Sequence, residues 1–140
     1  MKIYTAKSKI IGPCGPCSFI NLTGLKGTAK LEEQLAELGR LKPFHASTYS
    51  AFLVWMGKYH ADMEVFTESK KLNNKMFELM FYYEKIPKKL QSKYKQQAIK
   101  LIEKRNKKYS SKIKLLKRPI KKLDELLNKG YLVAVLMSDY

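Results

Sequence analysis

No disulfide framework, membrane span or secretory leader is expected from this sequence, and each expectation narrows its class. Only two cysteines occur in 140 residues, Cys14 and Cys17. Two thiols three positions apart cannot staple a fold, and a reduced pair suits the cytosol. No apolar run approaches the roughly 18 residues that a membrane-spanning helix needs. Met1-Lys2 leads straight into the polar Thr5, Lys7, Ser8 and Lys9, which is not a leader pattern. A cytoplasmic protein without a transmembrane segment is therefore expected. Internal repeats are absent, and no low-complexity segment occurs beyond a bias towards lysine.

Acidic residues are also scarce: 12 against 28 lysines and arginines, for a net charge of +16. The imbalance is local. Between Lys85 and Lys122 there are 16 basic residues and one acid, Glu103, while the rest of the chain has 12 basic and 11 acidic residues. Residues 85–122 thus form a basic arm that either makes a weak contact with nucleic acid or an anionic surface, or is a solvated helix face. Arginines (Arg105, Arg118) and aromatics (Tyr94, Tyr109) are sparse there. Specific base recognition usually needs both.

What is present is a hydrophobic fraction of 45%, enough for one domain with a real core over residues 1–140. Residues 2–5 read as a short strand. Pro13, Gly15 and Pro16 read as a rigid turn opening a short helix that ends by Gly24 or Gly27. Thr28 can cap a second helix, with Glu32 and Glu33 in its first turn, Leu31, Leu35 and Leu38 on one face and Gly39 as its stop. Ser47 or Thr48 can cap a third, whose core face is Phe52, Trp55, Met56 and Tyr59. Residues 63–67 read as a strand. Leu72, Met76, Leu79, Met80 and Tyr83 mark a helix broken near Pro87, and Leu90, Tyr94, Ala98, Leu101 and Ile102 mark a long basic one. Residues 112–116 read as a strand. Pro119 opens a last helix with Ile120, Leu123 and Leu127 inward, and the apolar run 131–137 reads as a central strand.

Chemistry concentrates in Cys14-Gly15-Pro16-Cys17. A thiol at a helix N-terminus faces unpaired N–H groups and the positive end of the helix dipole, and both favour the nucleophilic thiolate. Cys14-Gly15-Pro16-Cys17-Ser18 resembles the Cys-Gly-Pro-Ala-Ser motif of papain-like cysteine peptidases of the peptidase C-39-like group, the bacteriocin double-glycine leader peptidases. Leu31-Glu32-Glu33-Gln34-Leu35 is similar to the Glu-Glu-Leu segment of that family. Leu123 to Leu136 resembles its helix, glycine and apolar-strand unit. The resemblance implies an α+β, papain-like fold with a helical N-terminal lobe and a small, partly incomplete sheet from 63–67, 112–116 and 131–137. It implies Cys14 as nucleophile, a peptide or protein as substrate, and no cofactor or metal. Cys17 stands where the family usually has alanine.

The resemblance is incomplete in its proton-handling residues. The family's oxyanion-donating Gln lies a few residues before the cysteine, where this chain has Lys7-Ser8-Lys9. Ser8, or the backbone at the Gly15-Pro16 turn, would have to donate instead. The family's His and Asp lie on strands beyond the one at 131–137, and Asp139 comes too early to match. The chain is then either the N-terminal part of a longer peptidase domain or an inactive member. His45, in a loop, and His60, at a helix end, are the only histidines that could replace the base.

Two other readings stay open. Cys-Gly-Pro-Cys is also the tetrapeptide of thioredoxins, so Cys14 could attack a disulfide and Cys17 resolve it. No Trp precedes Cys14, and no Thr-x-Pro or Val-Pro leading a strand follows to supply the cis-proline of thioredoxins. A binding protein acting through the basic arm is the other reading. The strand at 131–137 would pair with a missing neighbour or with a second copy, giving a homo-oligomer. Zinc wants four ligands, and nothing in the spacing of Cys14, Cys17, His45 and His60 argues for a site.

Overall fold

The structure, a computed structural model, describes residues 3–10 and 12–135. The described residues form six α-helices and two short strands: α1 (Cys14–Thr23), α2 (Ala29–Gly39), α3 (Tyr49–Tyr59), β1 (Val65–Thr67), α4 (Asn74–Tyr83), α5 (Lys88–Lys108), β2 (Ile113–Leu115) and α6 (Pro119–Asn128). A single 3-10 turn, Ser110–Lys112, leads into β2. The architecture is α+β and dominated by helix. Side chains set several helix starts: Thr28 Oγ1 accepts from the Leu31 amide at 3.1 Å, and Asn73 Oδ1 from the Met76 amide at 2.9 Å. Each satisfies an amide that has no partner inside its helix. Gly24, at φ 69°, closes α1 in the left-handed region.

Two apolar clusters hold the helices together. The first joins Phe19 and Ile20 of α1, Leu35 of α2 and Phe52, Leu53, Trp55 and Met56 of α3, with Val65 of β1 and Ile113 of β2. Trp55 is fully buried, and its indole N–H donates to the Leu35 carbonyl at 2.7 Å. Gly39 does more than end α2. A methyl group there would lie 2.7 Å from Trp55 Cζ2 and 2.8 Å from Ala51 Cβ, so its bareness lets α2 and α3 approach.

The second cluster is Leu41, Phe44, Phe77, Met80, Ala98 and Ile102, from the 41–46 loop, α4 and α5. The expected inward stripe of α4 is corrected here. Tyr83 is 73% exposed, and Phe77 fills the core place instead. Phe77 and Met80 lie on the face of α4 that packs with Ala98 and Ile102 of α5.

Arg105 links the two halves. It was counted with the solvated basic arm, but it is buried. Its guanidinium donates to the carbonyls of Gly39 (2.8 Å) and Arg40 (3.0 Å) and to Ser50 Oγ (3.1 Å). It thereby serves acceptors that the end of α2 leaves without helical partners.

The sheet is two-stranded and parallel, with Val65 opposite Ile113, Phe66 opposite Lys114 and Thr67 opposite Leu115. Three expectations are corrected. Residues 3–5 form no strand, because the Tyr4 amide and carbonyl bond to the Asn21 side chain instead of a ladder. Residues 131–135 form no strand either, and 136–137 lie outside the described residues. Tyr131, Leu132 and Val135 are exposed, and no strand pairs with this run among the described residues. Ile120 and Leu127 of α6 face outward, at 77% and 53% exposure.

Candidate functional site: the thiol end of helix α1

Helix α1 begins at Cys14. Pro13 precedes it at φ −71°, and the Pro13 carbonyl accepts the Cys17 amide at 2.9 Å, closing the first turn. Gly15 and Pro16, expected at the turn that opens the helix, lie in its first turn and are buried. Pro16 is tolerated because the N–H it lacks would have no helical acceptor at this position. Cys14 itself is exposed.

The helix behind the thiol is firmly seated. A side chain at Gly15 would begin 3.2 Å from Trp55 Cη2 and 3.8 Å from Ser47 Oγ. One turn on, Phe19 is fully buried, with ring centroids 5.5 Å from Trp55, 6.0 Å from Tyr59 and 6.3 Å from Phe52. Tilted and edge-on aromatic contacts of this kind fix orientation as well as adding burial. Cys14 therefore stands on a rigid element with its side chain in solvent.

Cys17 is half-buried, one turn further along α1. Beside it lies a polar hub that pattern reading did not reveal. Glu32 of α2 is fully buried, and its carboxylate accepts from the Tyr4 hydroxyl, the Ser8 hydroxyl, the Lys7 amide at 2.7 Å and the Ser8 amide at 3.0 Å. Burial alone would raise the Glu32 pKa, but these four donors outweigh it and hold the group at about 2. Tyr4 is pushed up to about 12 by burial first and then by its bond to the Glu32 carboxylate. Cys17 is raised as well, by burial first, then by the negative Glu32 and by Cys14. Asn21 completes the latch. It accepts from the Tyr4 amide at 2.8 Å and donates to the Tyr4 and Cys17 carbonyls at 3.0 and 2.9 Å. Residues 4–8 are thus strapped across α1 and α2.

The other sequence candidates lie as follows. Both donors of Ser8 are taken by Glu32, so in this arrangement its hydroxyl is not free for a bound substrate. His45 is exposed, with its amide 2.9 Å from Glu84 Oε1 and its Nδ1 3.5 Å from Glu84 Oε2. His60 caps the end of α3 at φ 53° and is exposed. Among the described residues, no hydrogen bond joins either cysteine to a histidine. No group of three or more His, Cys, Asp or Glu among them could hold a metal ion. No helix among them is long and apolar enough to cross a membrane.

Glu32 and Asn21 are site residues that pattern reading passed over. Glu32 was visible as a first-turn acid, but an acid that serves the helix dipole and one that is buried look alike in sequence. Compared with protein-family models, with curated proteins and with solved structures, the chain finds no match in any of the three.

Chemically, the site offers one solvent-facing thiol at a helix start and a second thiol one turn on. The Cys14 and Gly15 amides have no helical acceptor by position, and Pro16 has no N–H to add. Glu32, already ionised down to about pH 2, is a poor proton acceptor at neutral pH.

Proposed function

We propose that this protein is a papain-like cysteine peptidase-type domain of the peptidase C-39-like group, with Cys14 as nucleophile towards a peptide carbonyl. The supporting observation is the exposed Cys14 at the first position of a helix locked against Trp55 and Phe52 through Phe19. Cys14 gives its thiol proton to solvent and its Sγ attacks the carbonyl carbon; a C–S bond forms and the oxygen takes the negative charge. The Cys14 and Gly15 amides are the donors nearest in sequence for that charge. As the C–N bond breaks, the departing amine needs a proton, and water then releases the thioester. Neither histidine bonds to the thiol, so the proton comes from solvent in this arrangement. Acylation by activated esters should then outrun hydrolysis of peptides. We place the protein in the cytoplasm, which suits a chain whose two cysteines stand three positions apart with no others to pair.

The test is a peptidyl acyloxymethyl ketone followed by mass spectrometry of the intact and digested protein. The adduct should sit on Cys14, vanish in Cys14→Ser and survive in Cys17→Ser. Label on Cys17 alone, or on neither thiol, would overturn the proposal.

A second reading rests on Cys17 standing one turn from Cys14. A cytosolic dithiol oxidoreductase would attack a substrate disulfide with Cys14 and release it by forming the Cys14–Cys17 bond, reducing the substrate by two electrons. Reduction of insulin that is lost in Cys17→Ser would favour this reading over the peptidase.

A further inference from the structure

The basic arm is not uniform. Between β2 and the start of α6 lies an open cleft of about 650 Å³, lined by Lys114, Lys117, Arg118, Lys121 and Lys122. Two acids, Glu64 and Glu125, share its walls with Phe66. Lys122 is already engaged: it lies 3.7 Å from Glu125 and stacks over the Phe66 ring at 5.3 Å. The other four cations are exposed, and none is in an ion pair among the described residues. Four unpaired like charges around one concavity repel each other, and a bound polyanion relieves that repulsion.

We propose that this cleft binds the phosphodiester backbone of a single-stranded nucleic acid. The cations rim an open groove along which a flexible, charged backbone can lie. They come from a strand, a loop and a helix in succession. Lysine outnumbers arginine there, and the one aromatic ring is covered by Lys122. Forked donors and open stacking faces are what read bases. Binding is therefore insensitive to base sequence and steeply dependent on salt. Four phosphate contacts at about 0.7 each give a log–log salt slope of about −3.

The experiment is fluorescence anisotropy with labelled oligothymidylate and oligoadenylate, titrated between about 50 and 200 mM salt. Expected results are similar affinity for both probes and a slope of about −3. The variant Lys114→Gln/Lys117→Gln/Arg118→Gln/Lys121→Gln should lose about tenfold or more in affinity at low salt and most of the slope. A control with equal charge loss on α5, Lys88→Gln/Lys89→Gln/Lys93→Gln/Lys100→Gln, should lose less than about threefold. Lys114→Arg/Lys117→Arg/Lys121→Arg, which keeps the charge, should retain binding. Far-ultraviolet circular dichroism checks the fold of each. Equal loss in the cleft variant and the control would overturn the proposal, as would absence of binding at the low-salt end. So would tighter binding to phosphatidylserine-containing vesicles than to either oligonucleotide.

Discussion

Helix α1 buries Phe19 and Ile20 almost completely, whereas α6 buries none of its residues, and Ile120 and Leu127 lie open to solvent. Both helices are ten residues long. The amphipathic pattern is sharper in α6 than in α1, so pattern strength does not explain the difference. Partners do. Around α1 the chain supplies α2, α3 and the 4–8 strap, with Glu32 and Asn21 absorbing the polar atoms that packing would otherwise strand. Around α6 the nearest described structure is a three-residue strand and a charged cleft. An apolar stripe states what a helix can bury, and only neighbours determine what it does bury.

The comparison can be pressed at three points. The largest effect should come from Trp55→Ala, which empties the space between α1, α2 and α3 and removes the indole bond to the Leu35 carbonyl; a loss of about 3–5 kcal/mol is expected, read by urea unfolding. A loss under about 1 kcal/mol would show that the α1 end of the molecule is no better packed than α6.

Glu32→Gln should come next, at about 1–3 kcal/mol near neutral pH, because a charged acceptor of four hydrogen bonds is replaced by a neutral one. The pH dependence has a definite sign. The folded pKa lies below the ordinary carboxylate value, so the stabilising contribution is present above about 4.5 and is lost as pH falls towards about 2. The wild type should therefore lose stability over that interval more steeply than Glu32→Gln. Parallel curves would mean that the strap does not depend on the charge. The same substitution removes the negative neighbour that helps to raise Cys17, so alkylation of Cys17 should begin at lower pH in the variant.

The smallest effect belongs to Ile120→Ser with Leu127→Ser. Residues this exposed should change stability by no more than about 0.5 kcal/mol each. A larger loss would show that the α6 face is covered in solution, and would make the two ends of the molecule alike.

Helix existence was legible because capping residues and periodicity are local. Thr28, Thr48 and Gly24 act where the sequence places them. So was the position of Cys14 at the head of α1. The strand pairing and the polar hub were less legible. Residues 131–135 carry the strongest strand composition in the chain and form no strand, because a ladder requires a second chain segment in register. Arg105 reads as one more cation in a basic helix, yet it caps the end of α2 from more than sixty positions away. Tyr83 continues an apolar stripe on paper, but it ends α4 in solvent, and the residues of α4 that are buried are Phe77 and Met80.

The amino-acid order by itself determined the helix starts and stops, the charge of the 85–122 arm and the thiol at the first turn of α1, since these depend on neighbours within a few residues. Tertiary structure alone decided that Glu32 and Arg105 are buried, that the pKa of Cys17 is pushed up while that of Glu32 is pulled down, and that α6 buries none of its residues. Those outcomes depend on desolvation and on donors brought together from distant parts of the chain, and no local pattern encodes either.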